Sequence, residues 1–326
     1  MLAYSVAIRT LGCGGELFRR ELESLVRQTV QPVRVVVYIA EGSPVPAMRV
    51  GREEYVPVRR GMMSQRLRMY EEFAEECILM LDDDVELQPD SAEKMLRAVE
   101  QNDADCVGAD TFSTHRRPLP QRIYAAASNL VFPHRDGAWA FKIRRDGSFS
   151  YNCAPKTAFC LSQSCAGNAM MWRRSTYDIL HMEDELWLDD FPFAYNDDML
   201  ESYKVYKNGF RLGVLYDSGI VHLDARTASA SYRRDPLWMK SRVQIQFVIW
   251  WRTCFRPGDT SAAERLCACV MFAFKSLWQF AGVTCLSLAR MNASCAVSYA
   301  AGLAAGWRFV RSGRFRALRD YAFLKR

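Results

Sequence analysis

The sequence predicts an α/β chain: a doubly wound, mostly parallel sheet followed by a C-terminal helical appendage rich in basic and aromatic residues. Three observations lead there. Short apolar or β-branched runs alternate with segments of helical spacing through the first half, as strands joined by crossover helices require. Polar or acidic loops close those runs, at the sheet edge where such folds collect ligands. From Asp235 onward the composition turns to tryptophan-rich helix, which suggests two regions, 1–234 and 235–326.

Taken in order, Tyr4 to Arg9 reads as the first strand, broken by Leu11-Gly12-Cys13-Gly14-Gly15. Leu17, Leu22, Leu25 and Val26 then recur at near-helical spacing. Val33 to Ile39 is a continuous β-branched run of the kind buried on both faces, and Glu41-Gly42-Ser43-Pro44 is turn chemistry. A helix is expected over Met63 to Glu75 and a strand over Cys77 to Leu81, ending in Asp82-Asp83-Asp84. Asp90-Ser91-Ala92-Glu93 has the form of a capping box opening a helix to about Asn102. Asp105 to Ala109 is a further strand. Thr111 to Ser164, rich in Arg, Pro, Phe and Tyr, suits loops or short antiparallel strands covering a site. Gly167 to Trp172 restores order, followed by helices near Arg174 to His181 and after Asp197, the latter ended by Asn208-Gly209. Leu212 to Leu215 and Ile220 to Leu223 are short strands, and Ser276 to Ala289 and Met291 to Trp307 are apolar helices.

Composition narrows the function. Half the residues are apolar and a quarter charged, so the chain buries a core. The net charge is +6, and the stretch from Gly302 carries seven basic residues against one acid, the whole surplus. A nucleic-acid-binding face spread over the fold is thereby disfavoured. Eleven scattered cysteines suit a reducing compartment rather than a disulfide framework, and their spacing does not suit zinc. MLAYSVAIRT reads as a strand rather than a signal peptide. No run of 18 apolar residues lacks a charge, which argues against a conventional spanning helix.

The chemistry-bearing residues cluster at strand ends. Three successive carboxylates, Asp82 to Asp84, suit either a hard divalent ion or a solvated turn. Asn196-Asp197-Asp198 opens a helix, where a carboxylate favours the N-terminus or serves as a general base. His222, among apolar neighbours, is either a satisfied core residue or a ligand. Arg9, Thr10 and Glu41 end the first two strands and face one crevice. Arg66, near the start of a helix, either approaches a diphosphate or lies on a wet face. Neither a G-x-G-x-x-G nor a P-loop pattern is present, and no G-x-S-x-G elbow supports a hydrolase.

In this order the segments resemble a family-2 glycosyltransferase of the GT-A fold, from Tyr4 to about Ala225, of the inverting, non-processive type used in bacterial glycan assembly. The resemblance rests on Ser5-Val6-Ala7-Ile8-Arg9-Thr10, Val35-Val36-Val37 into Glu41-Gly42-Ser43, and Leu81-Asp82-Asp83-Asp84-Val85 at the D-x-D position. It continues through Ala166-Gly167-Asn168-Ala169-Met170, the Asp197-Asp198 pair, Lys204 to Phe210, and Ile220-Val221-His222. Ala40 stands where many members carry Asp, and Asp197 where Glu is commoner. The Q-x-x-R-W signature of processive synthases is absent. The resemblance implies a nucleotide-sugar donor bound by Arg9, Thr10, Glu41, Arg66, Asp82 and Asp83. It implies a divalent cation, Mg²⁺ or Mn²⁺, held by Asp84 and His222. Asp198 is the implied base, with Asp197 as alternative or acceptor contact, and Gly167 and Asn168 lie on the acceptor side. The implied acceptor is a glycan or a lipid-linked glycan.

The basic, aromatic C-terminus suits an anionic membrane interface, so the expected location is cytoplasmic, at the inner face of the cell membrane. A helical cap with a basic outer face is the plainer reading. A nucleotidyltransferase or a non-catalytic glycan- or membrane-binding relative are the competing functions.

Overall fold

The computed structural model describes residues 2–47, 49–67, 72–111, 119–223, 235–289 and 293–324. The strands and helices run β1 (Tyr4–Thr10), α1 (Gly15–Val26), β2 (Val35–Ala40), β3 (Glu53–Val58), α2 (Ser64–Leu67), β4 (Cys77–Asp82), β5 (Val85–Leu87), α3 (Ser91–Gln101) and β6 (Cys106–Ala109). They continue with α4 (Leu119–Asn129), β7 (Phe141–Ile143), β8 (Phe149–Tyr151), β9 (Phe159–Leu161), β10 (Ala169–Arg173), α5 (Arg174–Ile179), a 3₁₀ segment Met182–Asp190, α6 (Asp197–Lys207), β11 (Leu212–Leu215) and β12 (Ile220–His222). The C-terminal region is α7 (Pro236–Trp250), a π-turn Trp251–Phe255, α8 (Ala262–Ala289), α9 (Ser294–Val310) and α10 (Gly313–Arg316).

The eight-stranded sheet has the order β3-β2-β1-β4-β10-β6-β11-β9. Parallel pairing joins β3, β2, β1 and β4, and also β6 with β11, so the sheet is mostly parallel, as expected. The departures are β10, antiparallel to both β4 and β6, and β9, antiparallel to β11. Alternation along each strand splits the core in two. Val6, Ile8, Leu79 and Leu81 pack against α1 and α3, whereas Ala7, Val36, Tyr38, Ile78 and Met80 face the opposite layer with Trp172 and Tyr177.

Several expectations are corrected. The helix over Met63 to Glu75 is helical only from Ser64 to Leu67; residues 68–71 lie outside the described residues, and Glu72 to Glu75 are not helical. The helix at Ser91 exists, but not through a capping box. Asp90 pairs with Lys94 at 3.0 Å, and Glu93 accepts from Thr29 and Arg97 instead of reaching back. The edge strand β3 was not anticipated, because Pro57 and its mixed burial mask the pattern. Within Thr111 to Ser164 the short strands appear, but α4 does too; residues 112–118 lie outside the described residues. The two apolar C-terminal helices are α8, which starts earlier at Ala262, and α9. By length and composition α8 is long and apolar enough to cross a membrane. The lone Lys275 that interrupts its apolar run turns inward and is buried.

The C-terminal helices share a core with the sheet region. Ile245, Val248, Val310, Phe315 and Tyr321 pack with Trp187, Met199 and Leu200, so the helix carrying Asp197 and Asp198 is clamped from behind. A buried ion cluster joins the same parts. Glu185 accepts from Arg252 Nη2 at 2.8 Å and from Lys204 Nζ at 3.1 Å, and all three are fully buried. Burial alone would raise the Glu185 carboxyl; the two cations outweigh it and hold it at about 2.

Candidate active site

Register brings the first residues together. Arg9 on β1 lies opposite Asp82 on β4, so its Nε donates to the Asp82 carboxylate across adjacent strands. Thr10 donates its hydroxyl to Asp83 one step further along. The antiparallel β10 places Ala169 opposite Leu81, and Asp82 N donates to Asn168 O at 3.1 Å, which seats Gly167 and Asn168 against the acidic loop. In the small β5–β12 ladder His222 pairs with Val85. That register sets His222 Nε2 3.0 Å from Asp84 Oδ1.

Helix α6 enters from the other side. Asn196 adopts a left-handed conformation (φ 61°) ahead of it, which an asparagine tolerates, and so aims Asp197 and Asp198 at the strand ends. Asp197 accepts from Arg9 Nη1 at 2.6 Å and lies 3.2 Å from Arg66 Nη2. Arg66 also donates to Glu201 at 2.6 Å and to Gly167 O at 3.1 Å. The result is a line of alternating charge: Glu201, Arg66, Asp197, Arg9, Asp82. Burial opposes ionisation of Asp197, but the two guanidiniums win and hold it at about 2. Among the described residues no cation pairs directly with Asp198. Burial, and then its charged neighbour Asp197, raise it to about 6, although its Oδ1 accepts from Met199 N at 2.7 Å.

Gly167 is required by packing. A Cβ there would lie 2.6 Å from Asp198 Cβ and 2.8 Å from Arg66 Nη2. Three of the expected residues sit otherwise than the sequence suggested. Arg66 is neither on a wet face nor open to a ligand; it is buried and its charge is spent on carboxylates. The Asn168 amide donates to Thr111 Oγ1 at 2.9 Å, and Glu41 stands exposed beyond β2 with its backbone N–H bonded to Val58 O. Residues that sequence reasoning missed support the rest. Asp189 caps the start of α2 through Met63 N and Ser64 N at 2.9 and 2.8 Å. Gln65 bridges Thr10 O and Tyr38 O, and Glu201 holds Arg66. The only sequence signal for these was a polar residue in an apolar setting.

The architecture defines a class first, the GT-A fold. It is shared with GalNAc-T7 solved with UDP, GalNAc and Mn²⁺ (TM-score 0.52, 13% identity, 76% of this chain and 48% of that one). It is shared with S. aureus TarS (TM-score 0.50, 14% identity, 84% and 43%). A third is the mannosyltransferase PcManGT from Pyrobaculum calidifontis in complex with GDP-Man and Mn²⁺ (TM-score 0.51, 13% identity, 99% and 85%). At such identities the likeness is one of fold, and the chain spans about half the length of the first two. Comparison with curated proteins gives no match. Within that class, residues 54–170 match the family Glycosyl transferase family 2, so both the expected fold and the expected family resemblance are borne out.

Proposed function

We propose that this chain is a metal-dependent, inverting glycosyltransferase moving one sugar from a nucleotide-sugar to a hydroxyl of a glycan or lipid-linked acceptor. The observation that carries the reading is the unequal treatment of two adjacent carboxylates. Asp197 is locked by Arg9 and Arg66, while Asp198 is held near the pH at which a general base is most effective. Asp198 takes the proton of the acceptor hydroxyl as its oxygen attacks the anomeric carbon opposite the departing diphosphate, which inverts that centre. Arg9 and Arg66 position Asp197 and Asp82. Asp82, the Thr10–Asp83 pair and Glu41 stand along the strand ends for the nucleoside, and Gly167 and Asn168 bound the acceptor side.

The donor set fits a hard divalent ion. Asp84 and His222 offer one carboxylate oxygen and one imidazole nitrogen 3.0 Å apart. Among the described residues no third His, Cys, Asp or Glu joins them, so phosphate and water would supply the remaining ligands. GalNAc-T7 and PcManGT were each solved with Mn²⁺ beside a nucleotide or nucleotide-sugar. Mg²⁺ or Mn²⁺ held by Asp84 and His222 would neutralise charge on the leaving diphosphate.

Release of nucleoside diphosphate from UDP-, GDP- and dTDP-sugars with Mn²⁺ tests the reading. Asp198→Asn should lower turnover about 10²–10⁴-fold with donor affinity kept; full turnover rejects the base. EDTA should abolish activity and Mg²⁺ or Mn²⁺ restore it. We further propose that 1–234 carries the site and 235–326 buttresses it. The C-terminal arginines Arg308, Arg311, Arg316 and Arg319 are exposed, which supports a peripheral contact with the cytoplasmic leaflet.

A further inference from the structure

Helix α8 is amphipathic in reverse. Lys275, Ser276 and Ser287 face the protein, while Leu266, Val270, Phe274, Leu277, Trp278 and Leu288 face out, Leu277 at 68% and Leu288 at 72% exposure. A soluble surface helix places these classes the other way round. From Ser276 to Ala289 the helix carries no charge at all. Its first half is anchored: Phe272 stacks on Trp250 with centroids 4.1 Å apart, and Tyr299 OH of α9 reaches Ser276 O at 3.2 Å. Beyond Gln279 it runs on for ten more residues beside the start of α9, where Val297 is also exposed. The opposite end of α9 is aromatic and basic. Trp307 is half exposed under the Arg311 guanidinium, 5.3 Å from its ring centre, and Arg308 is exposed beside it.

An apolar face along α8, with tryptophan and arginine exposed on α9, matches a lipid surface from acyl chain to anionic headgroup. We infer that α8 lies along an anionic bilayer with its outward apolar face sunk into a single leaflet. This rests on the membrane contact proposed above and moves its main contribution from the basic tail to the outward face of α8. A second copy of the chain is the competing occupant.

Flotation of the full chain with phosphatidylcholine vesicles, alone and with phosphatidylglycerol, decides it. The wild type should float with the anionic vesicles, and the exposed pair Leu277→Glu with Leu288→Glu should cut the bound fraction on the order of tenfold with an unchanged melting curve. Arg308→Ser with Arg311→Ser should weaken binding less and blunt its salt dependence. Insertion is overturned if the glutamate pair floats like the wild type, or if only the arginine pair releases the protein, in which case the electrostatic contact alone survives. Failure of the wild type to float, or a dimer that the glutamate pair dissociates, overturns it too. Donor turnover, measured in parallel, reports on the transferase reading separately.

Discussion

The acidic strand ends and the α8–α9 helix pair treat burial in opposite ways. At the strand ends, charge is drawn inside and paired link by link, from Glu201 through Arg66, Asp197 and Arg9 to Asp82. On the helix pair, apolar side chains are turned outward while Lys275 and the serines go in. Each inversion costs stability in an isolated soluble molecule, the first through desolvation and the second through exposed apolar surface. A cost kept in one place marks where something outside the chain has to be met.

The comparison predicts a steep gradient of mutational effect. Arg66→Met leaves Glu201 without a cation and Asp197 with Arg9 alone, and should cost about 3 kcal/mol by chemical denaturation. A cost below about 1 kcal/mol would show that the charge line is ornamental. Glu185→Gln, which leaves Arg252 without a carboxylate and Lys204 with only Asp184 at 3.8 Å, should cost a similar amount at neutral pH. Because the Glu185 carboxyl is depressed to about 2, its contribution is present above the ordinary carboxylate range and lost as pH falls through about 2. The variant and the wild type should therefore converge in acid, and a gap that persists there would exclude the ion cluster as its cause.

Turnover should follow the raised Asp198. Above about 6 it is ionised and active as a base; below, rate should fall about tenfold per pH unit. An unchanged rate at pH 5 separates the base from the rest of the site. Gly167→Ala, which forces a methyl against Asp198 and Arg66, should cost about 1–3 kcal/mol and slow turnover. At the far end of the scale, Leu288→Ser on α8 should change stability by no more than about 0.5 kcal/mol. A larger loss would mean that this face is covered within the chain itself.

Much of this was legible in advance, and for local reasons. The strands β1, β2 and β4 show as apolar runs, and the carboxylates Asp82, Asp84 and Asp198 stand at run ends, where type and position already suggest chemistry. What escaped depends on partners far along the chain. Arg66 read as a surface or diphosphate residue because Glu201, its partner, lies 135 positions away. Asp189 gave no local signal of its role, because it caps α2 across 126 positions. Lys275 read as an interruption of an apolar helix, since periodicity reports spacing and not which side of a helix meets the protein.

The amino-acid order alone determined the alternation of strands and helices and the carboxylate-bearing edge, because backbone propensity and side-chain type act over a few residues. Which of two neighbouring aspartates is neutralised, and which face of α8 looks outward, was decided only when Arg9 met Asp197 across 188 positions and α8 settled on α7 and α9. Protonation and burial are properties of surroundings, and surroundings exist only once the chain is packed.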